Sequence, residues 1–461
     1  MAKVVSKPYL HFVGRNSTEV TGSATLIRYL GYTILVDYGA RQTSDDKEDY
    51  VINSKRNRAI RPKEIDMVVL THIHLDHSGM IPRLVKEGMD CPIYIPVGSK
   101  GLLTLLWNDS VKIFNQDERA FGRQPIYSQE DVTEALKYVV ELSSDIKHEV
   151  DECVSITYYN AQHVIRAKQV LIELNDGVNT KKVGFTGDWS MRSQNFYVKP
   201  LYPLPQVDVL VAEATYGDTK RRTKLKDRDK DIEKIITALD ETKGDILIPT
   251  FSLDRMQNVL TLLYQIDKKH PIYKRILVDS PLGVAISREW WNAIDVNVPL
   301  WTDVFMWDKV TWLRDFSDTL YFRTINRDCL ILAGGGFLQG GRARYWAKEL
   351  MPDKDNTIMF CGYSSPDSIA GKIKSGEERI KIDGKTINNE AKTISLLSFS
   401  SHADYDDLLR YYTDVQYNKI CLVHAQNDSK LKFAKTLEKK LSKANRTSRV
   451  VTPEYNTKIF F

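Results

Sequence analysis

The chain has 461 residues, 42% hydrophobic and 10% aromatic, enough for about three domain-sized units with ordinary cores and unlike a low-complexity or disordered polymer. It carries no run of about 18 apolar residues and no charged-then-apolar leader, so neither a spanning helix, a membrane partner nor a secretory signal is expected. Five scattered cysteines (Cys91, Cys153, Cys329, Cys361, Cys421) without a CxxC exclude a disulfide framework and a thiolate metal site and point to a reducing, cytoplasmic setting, while a net charge of +5 suits a polyanionic partner without requiring one.

Alternating strands and helices open the chain. Ser23 to Leu30 and Tyr32 to Val36 predict a hairpin turning at Gly31. Ile65 to Leu70 is a short apolar run that predicts a buried strand, followed by a helix beginning near Ser78. Ser128, with Asp131 three residues later, forms a capping box that opens another helix. Val154 to Tyr159, Gln169 to Leu174, Val183 to Thr186 and Val207 to Ala212 read as strands.

Near Tyr216 the character changes. The stretch "TKRRTKLKDRDKD" is charged and basic, and it leads into a predicted helix from about Asp231 to Leu239. "GDILIPTF", "RILVDSPL", "CLILAGGG" and "TIMFCGY" then alternate with helical patterns, which predicts a second α/β unit with a parallel sheet. Short strands return after about Lys374, and "NKICLVHAQND" reads as a late buried strand with its exit loop. This arrangement predicts a domain at 1–215, an insertion at 216–373, and a return to the first domain at 374–461.

The chemistry concentrates in "THIHLDHSGM", which starts at Thr71. His72 and His74 are two apart, so on extended chain both imidazoles face one point. Asp76 and His77 follow and face a second point. Imidazoles with carboxylates suit Zn²⁺ better than Mg²⁺, which prefers oxygen ligands. For a single histidine a satisfied surface role would be the ordinary reading, but HxHxDH after an apolar strand points to metal. Four such residues cannot complete two metal sites, so more ligands must come from elsewhere. His163, Asp188, His402, His424 and Asp37 all stand at strand ends or in the loops after them, where α/β folds gather their sites.

"THIHLDHSG", with Asp37, His163 and Asp188 in order, resembles the metallo-β-lactamase superfamily. "EATYGD" at Glu213, "PTFSLDRMQ" from Pro249, "DSPL" from Asp279, "GGGFLQGGRARYW" from Gly334, "SFSSHAD" at His402 and "LVHAQND" at His424 narrow the resemblance to the β-CASP nucleases. It covers almost the whole chain. The implied fold is an αββα sandwich with an inserted β-CASP α/β domain.

The resemblance implies two Zn²⁺ ions, one on His72, His74 and His163, the other on Asp76, His77 and His424, with Asp188 bridging and Asp37 orienting the histidine loop. A bridging hydroxide would be the nucleophile. Asp76, Glu213 and His402 are the implied catalytic residues, His402 sitting beside the scissile phosphate. Such a site stays cationic toward a phosphodiester, because two carboxylates only partly offset two divalent ions.

A histidine at the position of His424 accompanies the RNA-processing members, so the implied substrate is single-stranded RNA, cut as an endonuclease and as a 5′-exonuclease. Ser400, Arg342, Arg344, Lys220, Arg221 and Arg222 are expected phosphate contacts; for the two arginines at 342 and 344 a structural ion pair is the competing reading. Ala214 and Ala425 depart from the family, which has serine and glycine there, and the chain reads as a minimal catalytic core. A homodimer is a further implied arrangement. The alternatives are a DNA nuclease or small-ester hydrolase on the same scaffold, or a non-catalytic scaffold subunit of an RNA-processing complex. The insertion and His402 argue against the ester hydrolase, and an intact ligand set argues against the scaffold.

Overall fold

The computed structural model describes residues 7–191, 201–218, 225–294, 299–325, 328–362 and 364–461. Two mixed sheets of seven strands each face one another. The first runs β22 (Thr457–Phe460), β1 (Tyr9–Phe12), β2 (Thr25–Tyr29), β3 (Tyr32–Val36), β4 (Met67–Val69), β5 (Ile93–Pro96), β6 (Val139–Leu142). The second runs β21 (Arg449–Val451), β20 (Lys419–Val423), β11 (Val209–Glu213), β10 (Thr180–Phe185), β9 (Lys168–Asn175), β8 (Val154–Asn160), β7 (Lys147–Asp151).

Period-two alternation makes the layers. Along β3, Ile34 and Val36 enter the core between the sheets, where they join Ile156, Ile172, Val183 and Val211. Leu35 points the other way, into a core shared with Leu102 and Leu106 of helix Lys100–Phe121. Along β11, Val209 and Val211 face the first sheet. Leu210 and Ala212 instead pack in the cluster holding Leu408, Tyr412, Phe433 and Leu437 of helices Tyr405–Asp414 and Asn427–Lys443. The result is an αββα sandwich. A slip of one residue would exchange the faces, and each fully buried Leu or Ile is worth about 1.5–3 kcal/mol, so the register is firmly set.

The third sheet runs β14 (Val310–Leu313), β13 (Arg275–Asp279), β15 (Cys329–Gly334), β12 (Ile246–Thr250), β16 (Thr357–Cys361), β19 (Lys392–Leu396). Every pairing in it is parallel. Its central strands are apolar on both faces, as strands covered by helices on both sides must be. A hairpin of β17 (Arg379–Ile382) and β18 (Lys385–Asn388) precedes its last strand. That last strand lies beyond residue 373: β19 pairs with β16 from Thr357–Lys392 to Cys361–Leu396. The parallel sheet of the insertion therefore closes only after the short strands that follow Lys374.

Other expectations meet the structure closely. Leu30 and Gly31 both have positive φ, the geometry of a tight hairpin turn joining β2 to β3. The capping box of Ser128 and Asp131 is formed, with helix Gln129–Ala135 behind it. Helix Leu225–Glu241 contains the predicted Asp231–Leu239. The basic residues Lys220, Arg221 and Arg222 lie outside the described residues. One boundary is corrected. Helical structure begins at Leu75 rather than near Ser78, in a single turn Leu75–Ser78, and resumes as Ile81–Lys86. Pro82, which lacks an N–H, sits in the first turn of that second helix, where the missing donor costs nothing. Among the described residues no helix is long and apolar enough to cross a membrane.

Candidate metal centre

The "THIHLDH" stretch leaves β4, enters the single helical turn Leu75–Ser78 and is held from below by Asp37. The Asp37 carboxylate accepts the Thr71 backbone N–H at 2.8 Å and its hydroxyl at 2.9 Å. It also accepts His77 Nδ1–H at 2.7 Å. The exit of β3 runs alongside the same loop: Tyr38 N–H donates to the His77 carbonyl and Ala40 N–H to that of Leu75. Gly39 lies so close that a Cβ there would stand 1.6 Å from the Asp76 carbonyl oxygen. Only glycine permits this approach.

Two groups of ligand-type atoms result. His72 Nε2 and His163 Nε2 each lie 3.2 Å from His74 Nδ1. A tetrahedron built on zinc–nitrogen bonds of 2.0–2.1 Å has edges of about 3.3–3.4 Å, close to this spacing. The second group is Asp76, His77, Asp188 and His424. His424 Nε2 stands 3.5 Å from both Asp76 Oδ2 and Asp188 Oδ2. His77 Nε2 stands 3.5 Å from Asp188 Oδ1. Asp188 Oδ2 also reaches the first group, 3.6 Å from His163 Nε2 and 3.8 Å from His72 Nε2. The carboxylate of Asp188 thus lies between the two groups.

The electrostatics suit a cation. Burial pushes His72 and His163 well below the ordinary imidazole range and His74 down to about 4, so all three are neutral and offer lone pairs. Burial works against the charge on Asp76, yet His77 and His424 hold its carboxyl down to about 2. Burial likewise opposes the charge on Asp188, and His424 and His77 keep it well below the carboxylate range. His77 is raised despite its burial, by Asp188, Asp37 and Asp76. His77 Nε2, His424 Nε2 and Asp188 Oδ1 are buried with no hydrogen-bond partner. Orphaned polar atoms of this kind cost about 1–3 kcal/mol each. Three converging on one point, with imidazole and carboxylate donors and no thiolate, fit a zinc-type ion.

Beside this cluster stands a second constellation. Glu213, at the end of β11, is 1% exposed and accepts the Trp189 backbone N–H at 2.9 Å. His402 Nδ1 lies 3.2 Å from each of its oxygens. Burial lowers the affinity of His402 for a proton, but Glu213 more than offsets it and leaves the imidazole raised. The centre of the His402 ring lies 4.5 Å from that of His163 and 5.5 Å from that of His424, both in tilted contacts.

The described residues expected to contact phosphate have partners within the chain. Ser400 is buried, its hydroxyl 3.1 Å from that of Tyr216. Arg342 pairs with Asp279 at 3.4 Å and lies over the Phe316 ring, while Arg344 pairs with Asp383 and donates to the Gln339 carbonyl. Both guanidiniums are engaged inside the inserted unit. Sequence reasoning missed Thr215, whose hydroxyl meets Glu213 and His424, and Asn16, whose carbonyl accepts the His424 N–H. Thr215 sits inside "EATYGD" and could have been noticed there; a backbone carbonyl such as that of Asn16 leaves no mark in a sequence.

An αββα sandwich with a histidine and carboxylate cluster at the strand ends defines a metallo-hydrolase. Residues 17–147 match the metallo-beta-lactamase superfamily, 256–373 the Beta-Casp domain, and 386–451 the Zn-dependent metallo-hydrolase RNA specificity domain. The chain belongs to the β-CASP subfamily of the metallo-β-lactamase superfamily and is a metal-dependent hydrolase of that group.

Among its curated relatives is the transcription termination factor FttA of Methanocaldococcus jannaschii, 25% identical over 94% of this chain and 69% of that protein. FttA of Methanococcus maripaludis is 27% identical over 89% of this chain and 66% of its own length. The chain thus spans about two-thirds of these archaeal proteins. Ribonuclease TTHA0252 of Thermus thermophilus is 28% identical over 91% of this chain and 94% of that enzyme. A crystal structure of a protein of unknown function from Enterococcus faecalis V583 shares the fold, with TM-score 0.56 at 14% identity over 99% of this chain and all of that one.

Proposed function

We propose that this chain is a zinc-dependent ribonuclease that hydrolyses phosphodiester bonds of single-stranded RNA. The observation that carries the reading is the placing of the Glu213–His402 pair against the cluster of His72, His74, His163, Asp76, His77, Asp188 and His424. His72, His74 and His163 would hold one zinc, and Asp76, His77 and His424 another, with Asp188 shared. When bound, the two ions supply Lewis acidity toward the phosphate and an activated water as nucleophile.

The chain's own residues do the rest. Asp37 orients the loop through Thr71 and His77. Glu213 keeps a proton on His402, which can be given to the departing ribose oxygen or can stabilise charge on the phosphate. The inserted unit, which we place between residues 216 and 396, covers the site and admits a single strand. RNA is favoured over DNA by the RNA specificity domain matched at 386–451, which contains both His402 and His424, and by the ribonuclease among the relatives. The intact cluster speaks against a non-catalytic scaffold.

The test is incubation of zinc-loaded protein with end-labelled single-stranded RNA and DNA carrying either a 5′-phosphate or a 5′-hydroxyl. Metal-dependent cleavage of RNA is expected, and the product ladder separates endonuclease from exonuclease cutting. Cleavage of DNA alone, or of neither, would overturn the reading.

A further inference from the structure

We infer that the Thr215 hydroxyl is a positioning group that joins the two halves of the site: it selects which nitrogen of His424 faces the carboxylates, and it braces Glu213 against His402. The inference rests on the function proposed above and names a residue that reading does not use. A threonine hydroxyl has one proton to give and lone pairs to receive. Thr215 Oγ1 lies 2.6 Å from Glu213 Oε2, the short distance of a hydroxyl donating to a carboxylate. Its alternative acceptor, the His424 carbonyl, is at 3.2 Å. The proton therefore goes to Glu213.

The oxygen then accepts, and His424 Nδ1 stands 2.9 Å away. His402 Nδ1 is at 3.4 Å and already faces both Glu213 oxygens. So Nδ1 of His424 carries the hydrogen, and Nε2 is left as a bare lone pair. That nitrogen is the one buried without a partner, 3.5 Å from Asp76 and Asp188. The backbone of His424 adds to the need for support. Its φ is +56°, unusual for a residue other than glycine, and its N–H is held by the Asn16 carbonyl at 2.6 Å. One hydroxyl thus fixes the tautomer of a proposed metal ligand and the carboxylate of the proton-bearing pair.

The test uses the full chain with Thr215→Val, which keeps the shape and loses the hydroxyl, and Thr215→Ser, which restores it. Each protein is stripped of metal and dialysed against buffered Zn(II). Metal content and chelator competition are then measured alongside thermal unfolding of the metal-free form. Wild type and Thr215→Ser should take up two ions. Thr215→Val should keep one and bind the other roughly 10–100-fold more weakly. Glu213→Gln should keep both, because Thr215 still receives the His424 hydrogen.

Wild-type affinity for both ions in Thr215→Val overturns the inference, as does loss of an ion in Thr215→Ser, which would mark a packing role. If valine prevents folding, Thr215→Ala removes the hydroxyl without adding a methyl and is read the same way. A wild-type protein that takes up no zinc refutes the proposed function instead.

Discussion

Glu213 faces His402 and raises its affinity for a proton, and the environment of Glu213 explains why that carboxylate stays in place. It is buried, and the Trp189 N–H and the Thr215 hydroxyl both donate to it. A carboxylate at 3.2 Å favours the charged imidazole. Activity that needs this proton is full at pH below the His402 pKa and falls as pH rises through it. Glu213→Gln lowers that pKa, so the alkaline limb of a pH–rate profile should move to lower pH. A limb that stays in place would show that His402 is not the titrating group. His402→Ala should retain zinc and lose activity by about 10²–10⁴-fold; parallel loss of metal would make His402 a ligand instead. Sequence reasoning reached His402 as one of the few histidines near strand ends, and Glu213 through the resemblance carried by "EATYGD". It could not find Thr215 as a junction, since a hydroxyl gains that role only from distances across three separate segments.

At the scale of elements, β3 and the "THIHLDH" loop act as one unit. The exit of β3 lies along the loop so closely that Gly39 touches the Asp76 backbone. A methyl there would have to displace main chain, not a flexible side-chain end. Gly39→Ala is expected to cost about 3 kcal/mol or more and to lower zinc uptake with it, as read by denaturant unfolding and metal analysis. Helix Asn427–Lys443 provides a second brace. Lys430 is fully buried on it and donates to the carbonyls of Ser17 and Pro453. It ties the helix to the loop whose Asn16 carbonyl holds His424. Lys430→Met leaves those carbonyls unmet and should cost about 1–3 kcal/mol in urea unfolding. A buried lysine reads as an ordinary surface charge in a sequence, so this brace was not legible. Helix Lys100–Phe121 was passed over in the sequence, although Leu102, Leu103, Leu106, Trp107 and Val111 stand at helical spacing, because no motif drew attention to it.

Across the whole molecule, the inserted unit is not hung on a loose linker. A single apolar cluster runs from Leu26, Leu35 and Val68 of the sandwich to Ile248, Val278 and Leu332 of the parallel sheet. At the junction Asp254 takes φ +66°, ψ −51° in a three-residue γ-turn, with Arg255 N–H donating to the Leu253 carbonyl. Its carboxylate accepts the Ile165 N–H, two residues from His163. Asp254→Ala loses that bond and keeps the strained turn, whereas Asp254→Gly loses the bond but relaxes the turn. Alanine should therefore be the more destabilising of the two by about 1 kcal/mol, measured by urea unfolding. Equal losses would mean that the turn stores no strain. The layered architecture was readable because buried strands betray themselves by alternation and apolar runs. The last strand of the parallel sheet was not, because β19 "KTISL" looks like any other short strand and only its pairing with β16 assigns it to that sheet.

The separation of the cluster along the chain sets an order of events during synthesis. His72, His74 and His163 leave the ribosome well before His424, roughly 13–70 s earlier at usual elongation rates. β11 meanwhile waits for β20, its parallel neighbour, before the floor beneath Glu213 is complete. A growing chain can thus gather its first three histidines while the partner strand that carries His424 does not yet exist. The proposed cutting power is therefore gained only once β20 has been made, and before that point the nascent chain carries an incomplete site.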